Sequence, residues 1–259
     1  MRMFHNGVMR YYREVLDRDG AMLFSLIDPD KLFLEKGAKV AKESLEAGAD
    51  AILVGGSIGA QGTLLDESIK MIKESIGGTI PIVLYPGNIS GLSPFADALY
   101  FMHMLNSRDV YWLSTAQIQA APVVARMKIE AIPTAYVIIE PGRAVGWIGN
   151  ANAVPRERGD LAAACALAAR YSGSKVVITD AGSGAPKPAP AELVSMVAKA
   201  CGDDVLYFNA GGVRTPAQAT ACIKAGAHGI HVGNAFEASS PAKMKAMAQA
   251  VKKEGRKRA

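Results

Sequence analysis

Short, unbroken apolar runs recur along the chain, each followed by a turn of small residues and then by a stretch with helical spacing. The runs are 22–27, 51–54, 81–84, 98–102, 134–139, 175–179, 204–208 and 228–232. Strands that read as continuously apolar, rather than alternating, are those covered on both faces, as in a parallel sheet flanked by helices. Between the first two runs Leu34, Ala38, Ala41 and Leu45 recur at intervals of four, three and four, the period of a helix with one buried face. Eight strands alternating with helices over 259 residues predict an α/β protein built as one closed (β/α)8 TIM barrel, a single domain over 1–259. An open doubly wound sheet is the alternative, and the first strand lacks the glycine-rich dinucleotide turn that such a sheet would carry there.

An internal echo supports closure. Residues 47–57 read AGADAILVGGS and residues 225–235 read AGAHGIHVGNA, so the second and eighth units share one phrase: a helix stopped by glycine, a strand, and a glycine at the strand end. One unit departs from the pattern. Segment 85–97 carries Pro86, Gly87, Gly91 and Pro94, which leave no room for a full helix, so a loop is expected between the third and fourth strands. Ahead of the first strand, 7–18 has Val8, Tyr11, Tyr12 and Val15 on one helical face, suited to covering one end of the barrel.

Half the residues are hydrophobic and a fifth charged, which excludes a disordered chain. The net charge of +5 is local: Lys252, Lys253, Arg256, Lys257 and Arg258 against Glu254 supply most of it. The remainder is too nearly neutral for a phosphate-backbone-binding face, so no nucleic-acid partner is expected. The tail 252–259 reads as a basic, disordered terminus, giving at most peripheral contact with a membrane. Cys165, Cys201 and Cys222 have neither disulfide nor metal spacing, which fits a reducing, cytoplasmic setting.

In such a barrel the chemistry lies in the loops after the strands. The sixth strand runs into Asp180-Ala181-Gly182-Ser183-Gly184, the seventh into Asn209-Ala210-Gly211-Gly212, and the eighth into Gly233-Asn234-Ala235. Small residues at three adjacent strand ends let backbone N–H groups converge on a phosphate, and Thr215-Pro216 and Ser240-Pro241 read as helix starts just beyond. Across the mouth, Asp28 closes the first strand and Ser57 follows the second. A carboxylate and a hydroxyl suit Mg2+, which takes few protein oxygens and completes its shell with water and phosphate.

LIDPDK at 26–31, VGGS at 54–57, LNS at 105–107 with Trp112, AGSGAP at 181–186, AGGVRT at 210–215 and VGNAFE at 232–237 occur together and in order. In these motifs the chain resembles the geranylgeranylglyceryl phosphate synthases, with bacterial relatives that make heptaprenylglyceryl phosphate, from about residue 15 to 250. The resemblance implies a barrel lacking its third helix and a prenyl transfer. In that reaction the 3-hydroxyl of sn-glycerol 1-phosphate attacks C1 of geranylgeranyl diphosphate, forming the first ether bond of archaeal membrane lipids. It also implies that Asp28 and Ser57 bind Mg2+, and that Ile178, Thr179, Asp180, Ala181, Gly182, Ser183, Gly184, Gly211, Gly212, Gly233 and Asn234 hold glycerol 1-phosphate. Relatives assemble as dimers or hexamers, so a homo-oligomer is expected.

The chain departs from the family pattern where Ile178-Thr179-Asp180 replaces Tyr-Leu-Glu; a carboxylate is kept but shortened. Leu26 stands where the bacterial relatives have Lys, which points to the archaeal branch. Asp180 is the expected base for the attacking hydroxyl, with Glu140 a second candidate. Tyr100, Trp112, Ile118 and Tyr136 are the residues expected to line a groove for the prenyl tail. Two other readings share the phosphate grip: a sugar-phosphate isomerase or aldolase, and a non-catalytic phosphate-binding barrel. A Schiff-base aldolase needs a Lys at a strand's C-terminal end, where none of Lys31, Lys175 and Lys187 falls.

Overall fold

The computed structural model describes residues 7–56, 59–237 and 240–258. Among them, eight parallel strands close into one barrel in chain order: β1 (Met22–Ile27), β2 (Ala51–Gly56), β3 (Ile82–Pro86), β4 (Ala98–Met104), β5 (Glu130–Ile138), β6 (Val176–Asp180), β7 (Leu206–Ala210) and β8 (Gly229–Val232). β8 returns to β1, pairing His231 with Phe24. Each strand falls on one of the apolar runs of the sequence.

The reason for the unbroken apolarity is visible in the packing. Phe24, Leu53, Tyr100, Ile178 and Phe208 point into the barrel, while their neighbours Leu23, Ile52, Leu99, Val177 and Tyr207 point out against the helices, all of them at most 2% exposed. Both faces are therefore removed from water, and each buried aliphatic or aromatic side chain contributes roughly 1.5–3 kcal/mol of transfer free energy.

The outer layer is formed by α2 (Glu35–Ala47), α3 (Gly62–Ile76), α4 (Ala116–Met127), α6 (Gly159–Tyr171), α7 (Ala191–Cys201), α8 (Pro216–Lys224) and α10 (Pro241–Gly255). The helix α1 (Val8–Asp19) precedes the barrel, and α5 (Arg143–Ile148) and α9 (Asn234–Glu237) are short insertions after β5 and β8. Between β3 and β4, residues 87–97 form turns and no helix, as the prolines and glycines there dictate.

α1 closes the end of the barrel where the strands begin. Tyr12, fully buried, packs edge-on against Phe24 and Phe208 at 5.3 and 5.9 Å between ring centres. The Glu130 carboxylate accepts hydrogen bonds from the first backbone N–H groups of the helix, those of Val8 and Met9, which stabilises its N-terminus.

The basic terminus corrects the sequence reading. Residues 252–258 continue α10 and its following turn instead of forming a disordered tail; Ala259 lies outside the described residues. Lys252, 15% exposed, bonds Asp50 at 2.6 Å and reaches Asp19 at 3.2 Å, and Arg256 bonds Asp19 at 3.0 Å. Arg258 donates to the Ile223 and Ala227 carbonyls. The cations that looked surplus in the composition are counter-charges for two buried carboxylates. Among the described residues no helix is long and apolar enough to cross a membrane, and the three cysteines are free thiols.

Candidate active site

The ends of β6, β7 and β8 meet on one side of the open mouth. Gly211 and Gly212 follow β7 with φ of +79° and +77°, a conformation L side chains seldom adopt. A Cβ on Gly211 would sit 2.7 Å from Asp180 Oδ1, and one on Gly212 would strike the backbone of Lys187. Glycine is therefore required by approach as well as by torsion. Thr215 caps α8 with its side chain, accepting from the Gln218 N–H, while Ser240 stands at the start of α10 without a capping bond. β8 passes through Gly233 into the short α9, a start the sequence reading missed by looking for a cap.

These loops line a cavity of about 280 Å3 together with Asp28, which follows β1, the strand next to β8 in the closed barrel. Of the residues expected at the glycerol phosphate, Asp180, Ser183, Gly184, Gly211, Gly212 and Gly233 are on its wall. Four are not. Ile178 lies one layer deeper in the barrel interior, and Thr179 faces outward, its hydroxyl held by Tyr207 Oη at 2.7 Å and by the Asn209 amide at 3.1 Å. Ala181 packs in the outer apolar layer, and Gly182 turns its N–H onto Asp180. For Asn234 only the backbone, at the start of α9, belongs to the described residues. Arg214 and His231, unmarked by the sequence reading, also line the cavity; Arg214 donates to the Gly184 carbonyl at 3.2 Å. Its signal was its place two residues after the paired glycines.

Asp28 directly follows β1, beside β8, and is buried at 9% exposure. Lys31 bonds its Oδ2 at 2.7 Å, while Oδ1 has no hydrogen-bond partner among the described residues. A Cβ on Gly56 would collide with this carboxylate, so the glycine ending β2 is what admits it. Burial, reinforced by the neighbouring Asp30 and opposed by Lys31, raises the Asp28 carboxyl to about 7. Ser57 lies outside the described residues. A bare carboxylate oxygen at a roomy cavity fits Mg2+, and among the described residues no cluster of three or more His, Cys, Asp or Glu competes as a fuller metal cage.

Asp180, the last residue of β6, lines the same cavity. It accepts from Tyr136 Oη at 2.6 Å on one oxygen and from the Gly182 N–H at 2.6 Å on the other. Burial raises its pKa, partly offset by these two donors, and no cation bonds it among the described residues. Glu140 is exposed and off the cavity wall, so the second candidate base does not face the site. Lys175 precedes β6, at the closed end.

An apolar cavity of about 90 Å3 adjoins the first where the helix between β3 and β4 is missing; Pro86, Met102, Met104, Trp112 and Tyr136 line both. Tyr100, Trp112 and Tyr136 line this second cavity. Ile118 does not: it is 72% exposed on the outside of α4, and Gln117 turns inward instead. The cause is a π-helical turn, Tyr111–Thr115, that leads into α4 and shifts the helix face; the Gln117 amide then bonds the Trp112 and Met102 carbonyls.

A barrel mouth of this kind is that of a (β/α)8 enzyme acting on phosphorylated substrates. The PcrB family profile matches residues 17–251, and the chain belongs to that family. It is 46% identical over 230 residues to the geranylgeranylglyceryl phosphate synthase of Thermococcus kodakarensis, covering 89% of both chains. It is 43% identical over 230 residues to that of Methanosarcina acetivorans, covering 89% of this chain and 92% of the relative. The structure also matches that of (S)-3-O-geranylgeranylglyceryl phosphate synthase from Thermoplasma acidophilum in complex with substrate sn-glycerol-1-phosphate. The TM-score is 0.90 at 34% identity, over 95% of this chain and 99% of that one.

Proposed function

We propose that the protein is a prenyltransferase that joins geranylgeranyl diphosphate to the 3-hydroxyl of sn-glycerol 1-phosphate, releasing diphosphate. The observation that carries this reading is that Asp28, Asp180 and the three glycine loops line one cavity that continues into an apolar groove. An isomerase or a simple phosphate binder has no use for the groove.

The loops at Ser183–Gly184, Gly211–Gly212 and Gly233 hold the phosphate monoester by backbone N–H groups, which places the glycerol chain against Asp180. Asp180 accepts the proton of the 3-hydroxyl as its oxygen bonds prenyl C1 and the C1–O bond to diphosphate breaks. Its raised pKa makes it a better proton acceptor than an ordinary carboxylate. Asp28, with Ser57, would hold Mg2+, which when bound neutralises charge on the departing diphosphate. Tyr100, Trp112 and Tyr136 wall the prenyl chain away from water, so that the hydroxyl rather than solvent meets the developing positive carbon.

The protein is read as a cytoplasmic homo-oligomer, for which Trp147 and Tyr171, 85% and 81% exposed, supply apolar surface. The function is tested by incubating the protein with Mg2+, glycerol 1-phosphate and prenyl diphosphates of several lengths. A phosphatase-sensitive ether lipid is the expected product, and its absence with every diphosphate overturns the reading.

A further inference from the structure

We propose that Tyr136 is a positioning residue for this transfer: it aims the Asp180 carboxylate at the incoming hydroxyl and fixes where prenyl C1 emerges beside it. The inference rests on the function proposed above. Three observations carry it.

The first is the hydrogen-bond pattern. Tyr136 Oη and the Gly182 N–H hold different oxygens of Asp180, both at 2.6 Å, so the plane of the carboxylate is set from two sides. A carboxylate fixed this way presents its remaining lone pairs in one direction, toward the cavity it lines.

The second is reach. Tyr136 on β5 pairs in register with Ile178, two residues below Asp180, so the phenol rises from the layer beneath to meet a side chain with a single methylene. With the phenol and carboxylate oxygens already at 2.6 Å, an acid one methylene longer at 180 is expected to crowd the phenol.

The third is placement. Tyr136 lines both the reaction cavity and the apolar groove, and among the shared lining residues it is the one that bonds Asp180. Whatever sets the wall of the groove therefore also sets the orientation of the base. Burial and the nearby Asp180 charge keep the phenol protonated, so that it serves as a hydrogen-bond donor and not as a second base.

The test uses the full-length protein and compares Tyr136→Phe, Asp180→Glu and the double variant, with thermal melting to confirm folding. For Tyr136→Phe, kcat is expected to fall about tenfold while KM for glycerol 1-phosphate moves less than about threefold, because the phosphate is gripped elsewhere. The share of geranylgeranyl diphosphate captured by water, giving geranylgeraniol in place of ether, is expected to rise. In that side reaction the water oxygen bonds C1, diphosphate leaves and the proton passes to solvent. This partition does not depend on how much of the sample is folded. Asp180→Glu is expected to lose roughly a hundredfold, and the double variant to recover about tenfold of it, since removing the phenol oxygen makes room for the extra methylene. An unchanged kcat and partition in Tyr136→Phe, or a double variant that falls by the product of the single losses, overturns the positioning role. A wild-type protein that forms neither ether nor alcohol overturns instead the function on which it rests.

Discussion

At the closed end of the barrel, Asp19 and Asp50 are buried with Lys252 between them and Arg256 on Asp19. At the open end, Asp180 is buried as deeply with only neutral donors on its oxygens, and Asp28 has one oxygen on an exposed Lys31 and one bare. The same residue type is thus solved in two ways. Although burial opposes it, hydrogen bonds from Arg18 and Arg256 and the charge of Lys252 bring the Asp19 carboxyl down to about 2, whereas burial leaves Asp28 and Asp180 above the ordinary range. Burial keeps Asp50 raised too, even beside Lys252, but there both carboxylates are tied to the C-terminal helix and hold the fold together. At the open end Asp180 has no cation and Asp28 a single exposed one, so the fold bears a cost and keeps reactive groups for a ligand to complete.

The comparison breaks first at Asp180. Asp180→Asn is expected to lower kcat about a thousandfold while raising the melting temperature. The sign follows from its raised pKa: the folded state disfavours the ionised form, so stability is greatest at low pH and declines as pH rises through the folded value. The neutral amide escapes that cost. For the same reason the acid limb of the wild-type kcat profile should lie above the ordinary carboxylate value; a limb at or below it removes Asp180 as the base. Next, Asp28→Asn should cut kcat/KM for the prenyl diphosphate by about two orders of magnitude, with KM for glycerol 1-phosphate little changed. Pyrophosphate release that continues at the wild-type rate would end the metal assignment.

At the closed end the expected pattern inverts. Lys252→Met should cost about 3 kcal/mol in denaturant unfolding, because Asp50 is left buried and unpaired, yet kcat should stay within about twofold. The Asp19 contribution, present above the ordinary carboxylate pKa, should fade as pH falls toward 2. Ile118→Ala should change neither activity nor prenyl-length preference, and a shift in product length would return that residue to the groove.

The strands and the glycine loops were readable in the sequence because their signals are local: an apolar run, a turn of small residues, a missing helix marked by Pro86 and Pro94. The closed-end pairs were not, since Lys252 meets Asp50 across 202 residues and composition alone makes the terminus look superfluous. Tyr136 was legible as a groove residue but not as the partner of Asp180, because inward direction follows from strand alternation whereas contact at the top of the barrel needs the register of β5 on β6. Ile118 was misplaced because one π-helical turn rotates the helix that carries it, and a 3.6-residue period cannot foresee that.

The turns at 87–97 leave the outer helical layer, not the closed ring of strands, without one of its panels. A helical layer complete all round would oblige the mouth to take in a ligand whole, so its volume would limit what fits. A gap in that layer instead lets the charged head be clamped at the mouth while a long hydrocarbon trails out laterally over the strands. Selection by size then becomes a question of where the side channel is stopped, and product can be handed on tail first without the head ever crossing the apolar passage.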